Sequence, residues 1–284
     1  MAAEPVRAGA DWLALREPAD AAARSHALVD ALRPQLPTGR PLQIHDLGCG
    51  TGSMARWLAP RLPGPQRWVL HDRDADLLDR VTAYPPPVDA DGGAVHLETR
   101  QSDITRLDPA VLRGADLITA SALLDMFDAA ELDRFVRGCA AAACPVLVTL
   151  SVVGRVELEP AHPLDLVARD AFNAHQRRTT GGRTLLGPDA TAAAVEQWRL
   201  LGHDVAVRRS PWRLGPEQRA LTAAWFAGWV AAATEQRPDL RDAARPYVRE
   251  RLAQSAAGTL SVTVHHEDLL VRPGPTPPRG PAPP

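Results

Sequence analysis

No lysine occurs among the 284 residues, so all 32 Lys/Arg side chains are arginine. That absence excludes a lysine Schiff base and any catalytic lysine. Together with the many alanines and prolines, it matches the codon bias of a GC-rich genome. Cysteine is almost as scarce. Cys49, Cys139 and Cys144 have no metal-type spacing, and a small odd number points to a reducing cytosol rather than a disulfide framework. Net charge is only -2, so bulk electrostatics recruits neither nucleic acid nor an acidic membrane surface. The longest uncharged run, Gly138 to Gly154, spans roughly 17 residues and is split by Pro145, below a comfortable membrane span. Met1 to Trp12 lacks the basic start and apolar core of a secretory signal. There is no internal repeat. A soluble chain with one core, or one core plus a cap, is expected at this length.

Apolar strand-like runs and helical patterns alternate through the first half. Strands are expected at 42–47, 67–71, 95–99, 116–120 and 146–153, with helices at 53–62, 74–83 and 129–142. The run at 146–153 is apolar almost throughout, as in a strand buried on both faces of a parallel sheet. Residues 11–36 have helical spacing, with Pro18 expected to divide them into two helices. Helices are also expected at 163–178 and 189–201, and strands at 204–209 and 260–265. The gap between those last strands holds two further helical patterns, 216–235 and 239–257, and is too long for a hairpin loop. The expected organisation is a helical segment over 1–40, a Rossmann-like core over 41–154, completion of the sheet with a substrate-side helical cap over 155–272, and a proline-rich disordered tail over 273–284.

The segment Asp46-Leu47-Gly48-Cys49-Gly50-Thr51-Gly52 carries the most information. A strand runs into an acid, a glycine turn and a helix start, where a ligand can lie against bare backbone N–H groups. A dinucleotide site requires G-x-G-x-x-G. Here Ser53 takes the position of the third glycine, and Asp46 would repel a pyrophosphate. A ligand with an ammonium and a sulfonium suits that acid better. The segment resembles motif I of the class I S-adenosylmethionine (SAM)-dependent methyltransferases.

That resemblance implies an α/β, doubly wound Rossmann-like seven-stranded sheet with a helical cap insertion, and SAM as cofactor with S-adenosylhomocysteine (SAH) as product. Residue by residue, it implies a cofactor site at Asp46, Gly48, Cys49 and Gly50. Asp72, 24 positions after Gly48, would take the ribose hydroxyls, with Arg73 beside it. Asp72 can also be read as a cap of the following helix. Asp103 would accept from the adenine amino group while Ile104 packs on the ring. Ser121 would fall near the cofactor. Asp125 takes the place of a polar group facing substrate, a candidate base or orienting group, and equally a turn acid. Asn/Asp-Pro-Pro-aromatic, a mark of many base-amino methylases, is absent after the fourth strand.

Substrate readers are expected from the second half. His175 is a candidate base and Arg177 a candidate anion contact within the polar, glycine-containing stretch 173–183. Trp212 and Trp229 are candidate pocket walls; Trp225 and Trp229 share a helical face, which also suits core packing. Adjacent His265 and His266 on a strand point to opposite faces and chelate poorly, so no metal is expected. Asp20 and Arg24 are expected to pair on the helix surface, with Arg16 or Arg24 the alternative partner of the SAM carboxylate. The reading is methyl transfer from SAM to an O, N or C nucleophile of a small aromatic or heterocyclic metabolite, without membrane and with nucleic acid disfavoured. Its rivals are an RNA or protein methyltransferase, an NAD-dependent oxidoreductase, and a SAM-binding protein without methyl transfer.

Overall fold

A computed structural model describes residues 8–274; the expected tail lies outside them from residue 275 on. The strands are β1 (Leu42–Leu47), β2 (Gln66–Asp72), β3 (His96–Gln101), β4 (Leu117–Ser121), β5 (Val146–Glu159), β6 (Thr179–Thr180), β7 (Arg183–Thr184), β8 (Asp204–Arg209), β9 (Trp212–Leu214) and β10 (Ser261–Arg272). The helices are α1 (Ala10–Ala23), α2 (His26–Leu32), α3 (Ser53–Leu58), α4 (Ala75–Val81), α5 (Ala129–Ala141), α6 (Leu164–Gln176), α7 (Ala190–Leu200), α8 (Arg219–Gln236) and α9 (Arg241–Ala257).

Seven strands lie in the order β3-β2-β1-β4-β5-β10-β8, and β9 pairs with β10 as an eighth. The first five are parallel and β10 is antiparallel to β5. Order reverses between β1 and β4, the crevice where open α/β sheets take ligands. One face is covered by a core of α2, α3 and α4 side chains, including Leu32, Trp57 and Leu78, around Ile44 and Trp68. The other is covered by α5 and α7, with Phe135 and Trp198 against Ile118 and Val148. A third core gathers Leu158, Trp212, Phe226, Trp229, Tyr247 and Val262.

The third core exists because β5 and β10 are longer than their apolar patterns predict. β5 was expected to end at 153 and continues to Glu159; β10 was expected over 260–265 and continues to Arg272. Two irregularities in their pairing let the strands bend. One accompanies Leu150, whose φ of 57° lies in the left-handed region. The other accompanies Gly154 at φ 71°, where a Cβ would come 2.9 Å from Asn173 and from Pro188.

The break between α1 and α2 falls at Arg24 and Ser25, not at Pro18, which is accommodated within α1. The cause is tertiary. Fully buried Asp268 accepts from Ser25 N at 2.7 Å, from Leu150 N at 2.8 Å and from Ser210 Oγ at 2.5 Å. One carboxylate thus holds the helix break and the strained strand residue together. In Asp268→Asn the amide NH2 faces at least one of these donors and leaves it unpaired, at about 2 kcal/mol. The thermal midpoint is expected to fall by about 5 °C in scanning calorimetry; an unchanged midpoint would remove Asp268 from this role.

Candidate active site

The residues flanking the β1–α3 turn open into a cavity of about 620 Å³, of the size that small-molecule sites occupy. Gly48, Gly50 and Gly52 all have positive φ, between 55° and 81°, so the chain can double back and start α3. A Cβ on Gly48 would come 3.2 Å from Leu123 and 3.6 Å from Ile104, and one on Gly50 3.0 Å from Leu13. Bare backbone therefore faces the cavity. The turn is fixed by Gly48 N and Cys49 N, which both donate to His71 O at 2.9 Å.

Asp72 ends β2 and ties the turn to the next strand. Its Oδ2 accepts from Gly50 N at 2.8 Å and its Oδ1 from Asp74 N at 3.0 Å. Asp103 caps the turn after β3 by accepting from Thr105 N and Oγ1 at one oxygen, with Arg106 Nε 4.0 Å from the other; Ile104 follows it in the cavity wall. Cys49 is buried, and burial first, with Asp46 and Asp72 adding, pushes its thiol well above the ordinary range. It packs rather than reacts.

Two buried charges lie at the inner end. Asp46 is fully buried; Thr119 Oγ1 donates to its Oδ1 at 2.7 Å, while Oδ2 has no partner among the described residues. Burial raises its pKa to about 7 against the lowering influence of Thr119 and Arg24. Arg24 is 2% exposed, and burial lowers its pKa. Its Nη2 donates to Ser53 Oγ at 3.3 Å and Ser121 Oγ at 3.2 Å, and Nε and Nη1 have no hydrogen-bond partner among the described residues. The surface pair expected between Asp20 and Arg24 does not form. Asp20 instead takes Arg16 at 2.9 and 3.1 Å and Trp212 Nε1 at 2.9 Å, because the helix break turns Arg24 inward.

These features fit SAM. Asp46 offers an unpaired oxygen to an ammonium. Ser121 already accepts from Arg24 and from Thr149 Oγ1 at 3.0 Å, so its own proton is available to a carboxylate. Because Asp46 holds its proton below about pH 7, and the ionised form attracts a cation, SAM affinity is expected to rise with pH. The slope approaches tenfold per unit below pH 7 and levels above it. Calorimetric titration from pH 5.5 to 8 checks this. Asp46→Asn should flatten the profile, and a flat wild-type profile would take the ammonium away from Asp46.

The cavity brings together Asp46, Gly48, Cys49, Gly50, Asp72, Arg73, Asp103, Ile104, Ser121 and Asp125. Asp125 follows β4; burial pushes its pKa up to about 6, with Arg16 and its own backbone N–H pulling it down. The other proposed readers are not in the cavity wall. Arg177 is held at the surface by Asp189, at 2.5 and 2.7 Å. Trp229 is buried in the third core and Trp212 lies behind Arg16, whose Cζ is 4.9 Å from its ring centroid. His175 is buried behind the wall, with Nδ1 2.9 Å from Arg178 Nη1 and Nε2 3.2 Å from Glu235. Among the described residues, no cluster of three or more metal-ligating side chains occurs.

The remaining wall comes from residues not named individually as ligands, although Arg178, Thr180 and Arg183 lie within the stretch 173–183 expected to read substrate. Trp12 and Leu13 come from α1, Met126 and Phe127 from the turn after β4, and Arg178, Thr180, Arg183 and Leu185 from the β6–β7 hairpin and its flanks. Gly181-Gly182 was the only local signal for that hairpin. No residue of α8 or α9 lines the cavity; their side chains fill the third core, against which α1 packs through Leu15, Ala19 and Ala23.

A family profile described as a methyltransferase domain matches residues 44–145. The chain is 34% identical over 140 residues to acetylserotonin O-methyltransferase of Mus musculus, and equally to that of Mus musculus molossinus. The match covers 48% of this chain and 35% of each relative, so the chain spans about a third of the length of the curated relatives it matches. Among solved structures it is similar to mycolic acid cyclopropane synthase CmaA1 complexed with SAH (TM-score 0.45, 14% identity, 87% of this chain and 83% of that one). It is also similar to YcgJ of Bacillus subtilis (TM-score 0.48, 11% identity, 88% and 100%). Residues 44–145 are thus similar to a methyltransferase domain.

Proposed function

We propose that the chain transfers the SAM methyl group to an O, N or C nucleophile of a small aromatic or heterocyclic metabolite in the cytoplasm. One observation carries this reading: a single cavity joins the glycine turn and its acids to Trp12, Phe127, Met126 and Asp125. The first group suits the cofactor and the second a flat acceptor. The name of the mouse relatives, acetylserotonin O-methyltransferase, supports an oxygen nucleophile.

In this reading Asp72 holds the ribose, Asp103 and Ile104 the adenine, and Asp46, Ser53 and Ser121 the amino-acid end, with the charge of Arg24 behind the two hydroxyls. SAM supplies an electrophilic methyl on a sulfonium. The protein then contributes alignment and a dry cleft. Asp125, with a pKa near 6, is ionised at neutral pH and basic enough to accept the acceptor's proton. His175 acts from behind the wall.

The test is calorimetry with SAM, SAH and NAD, followed by SAH release over phenols and nitrogen heterocycles. Binding of SAM and SAH but not NAD, with turnover of a small acceptor, supports the reading. Tight salt-dependent RNA binding would favour a macromolecular substrate. SAM binding without turnover across the panel would favour a non-transferring role, and preference for NAD would overturn the cofactor assignment.

A further inference from the structure

The acceptor end of the cavity contains one guanidinium that the fold leaves uncommitted. Three arginines line that end: Arg16, Arg178 and Arg183. Arg16 is committed to Asp20 through Nε and Nη2. Arg183 donates to both oxygens of Glu131 and to Met126 O. Arg178 has no carboxylate within ion-pair distance among the described residues. Its Nη1 donates to His175 O and to His175 Nδ1, both at 2.9 Å.

That geometry has a direction. An arginine nitrogen is only a donor, so Nδ1 of His175 is the acceptor and the imidazole proton lies on Nε2. Nε2 is 3.2 Å from Glu235 Oε2 on α8, within ion-pair distance but without hydrogen-bond geometry. Buried His175, with exposed Glu235 at ion-pair distance behind it, therefore fixes one edge of the guanidinium at the cavity wall. Nε and Nη2 remain, with no protein acceptor among the described residues. Those two nitrogens form the planar fork that matches a carboxylate bidentately. Thr180 adds a hydroxyl to the same wall.

We propose that Arg178 binds a carboxylate on the methyl acceptor, and that His175 is its positioning residue. The inference rests on the methyl-transfer reading. A monoanion is favoured over a phosphate dianion because Asp20, Asp46, Asp72, Asp74, Asp103 and Asp125 share the cavity. A carboxylate held at Arg178 leaves the rest of an aromatic acceptor to pack among Trp12, Met126 and Phe127, with its nucleophile toward Asp125.

The test compares 4-hydroxybenzoate, 4-hydroxybenzamide and phenyl phosphate as ligands of the SAH-loaded full chain, by calorimetry. The benzoate is expected to bind at least tenfold tighter than the amide and tighter than the phosphate. Arg178→Gln should erase the preference without moving SAH affinity. His175→Leu should reduce it about as much, while His175→Asn, which retains an acceptor in place of Nδ1, should recover most of it. Thermal midpoints check that each variant is folded. Equal binding of acid and amide, no binding of either, or a preference that survives in Arg178→Gln would overturn the proposal, and tighter phosphate binding would overturn the choice of anion. An Arg178-dependent carboxylate preference in a protein that binds no SAH would instead sink the methyl-transfer reading and leave the anion site standing.

Discussion

Replacing Asp72 by alanine is expected to weaken SAH binding about a thousandfold. Two losses combine. The carboxylate is the proposed acceptor for the two ribose hydroxyls, and hydrogen bonds to a charged group are worth about 1.5–3 kcal/mol each. It also accepts from Gly50 N at 2.8 Å, so its removal frees the glycine turn against which the ligand lies. About 4 kcal/mol follows, or roughly three decades in Kd. Asp72→Asn keeps one acceptor and should fall between. The measurement is calorimetric titration with SAH beside a thermal scan of the ligand-free protein. A loss of less than tenfold in a folded variant would remove the ribose from Asp72.

Arg24→Met is expected to separate binding from stability. Among the described residues Arg24 is buried with two nitrogens lacking a hydrogen-bond partner, and its side chain hydrogen-bonds only to the hydroxyls of Ser53 and Ser121. A buried charge so poorly satisfied costs several kcal/mol of desolvation, which outweighs the attraction of Asp20, Asp46 and Asp268 around it. The ligand-free variant should therefore melt at or above the wild-type temperature. Affinity for SAH should nevertheless fall at least a hundredfold, because the positive charge behind Ser53 and Ser121 is gone and Ser121 loses the donor that directs its proton outward. Differential scanning of the free and SAH-loaded forms reads both effects. A large drop in the free midpoint with unchanged affinity would make Arg24 a structural residue.

The glycine-turn half of the cavity was legible in the sequence because its residues follow local signals. Gly48 to Gly52, Asp72 and Asp103 each follow a strand whose apolar run marks where it ends, and strand order brings those ends together. The acceptor half was not legible in the same way. Trp12 has the spacing of a core residue, and only the packing of α1 between the third core and the cavity brings it to the cavity wall. Arg177 and Arg178 are neighbours with the same chemistry. Asp189 holds the first at the surface and His175 holds the second at the wall, partners 12 and 3 residues away respectively. Trp212 and Trp229 looked equally suited to a pocket or a core, and the unforeseen length of β5 and β10 created the core that took them. The inward turn of Arg24 depended on Asp268, 243 residues from the serine it holds.

That long antiparallel pair has a mechanical consequence. β5 and β10 run from the cofactor side of the sheet into the third core, paired on both sides of each irregularity. Two bodies that share continuous strands have no hinge line between them. α8 and α9 therefore cannot swing away to admit a substrate, as a separately folded lid would. Traffic into the cavity falls to the small elements that reach its wall independently, the start of α1 and the β6–β7 hairpin. Loosening either core also strips strand partners from the other, which ties the grip on the cofactor and the shape of the acceptor pocket to one cooperative event.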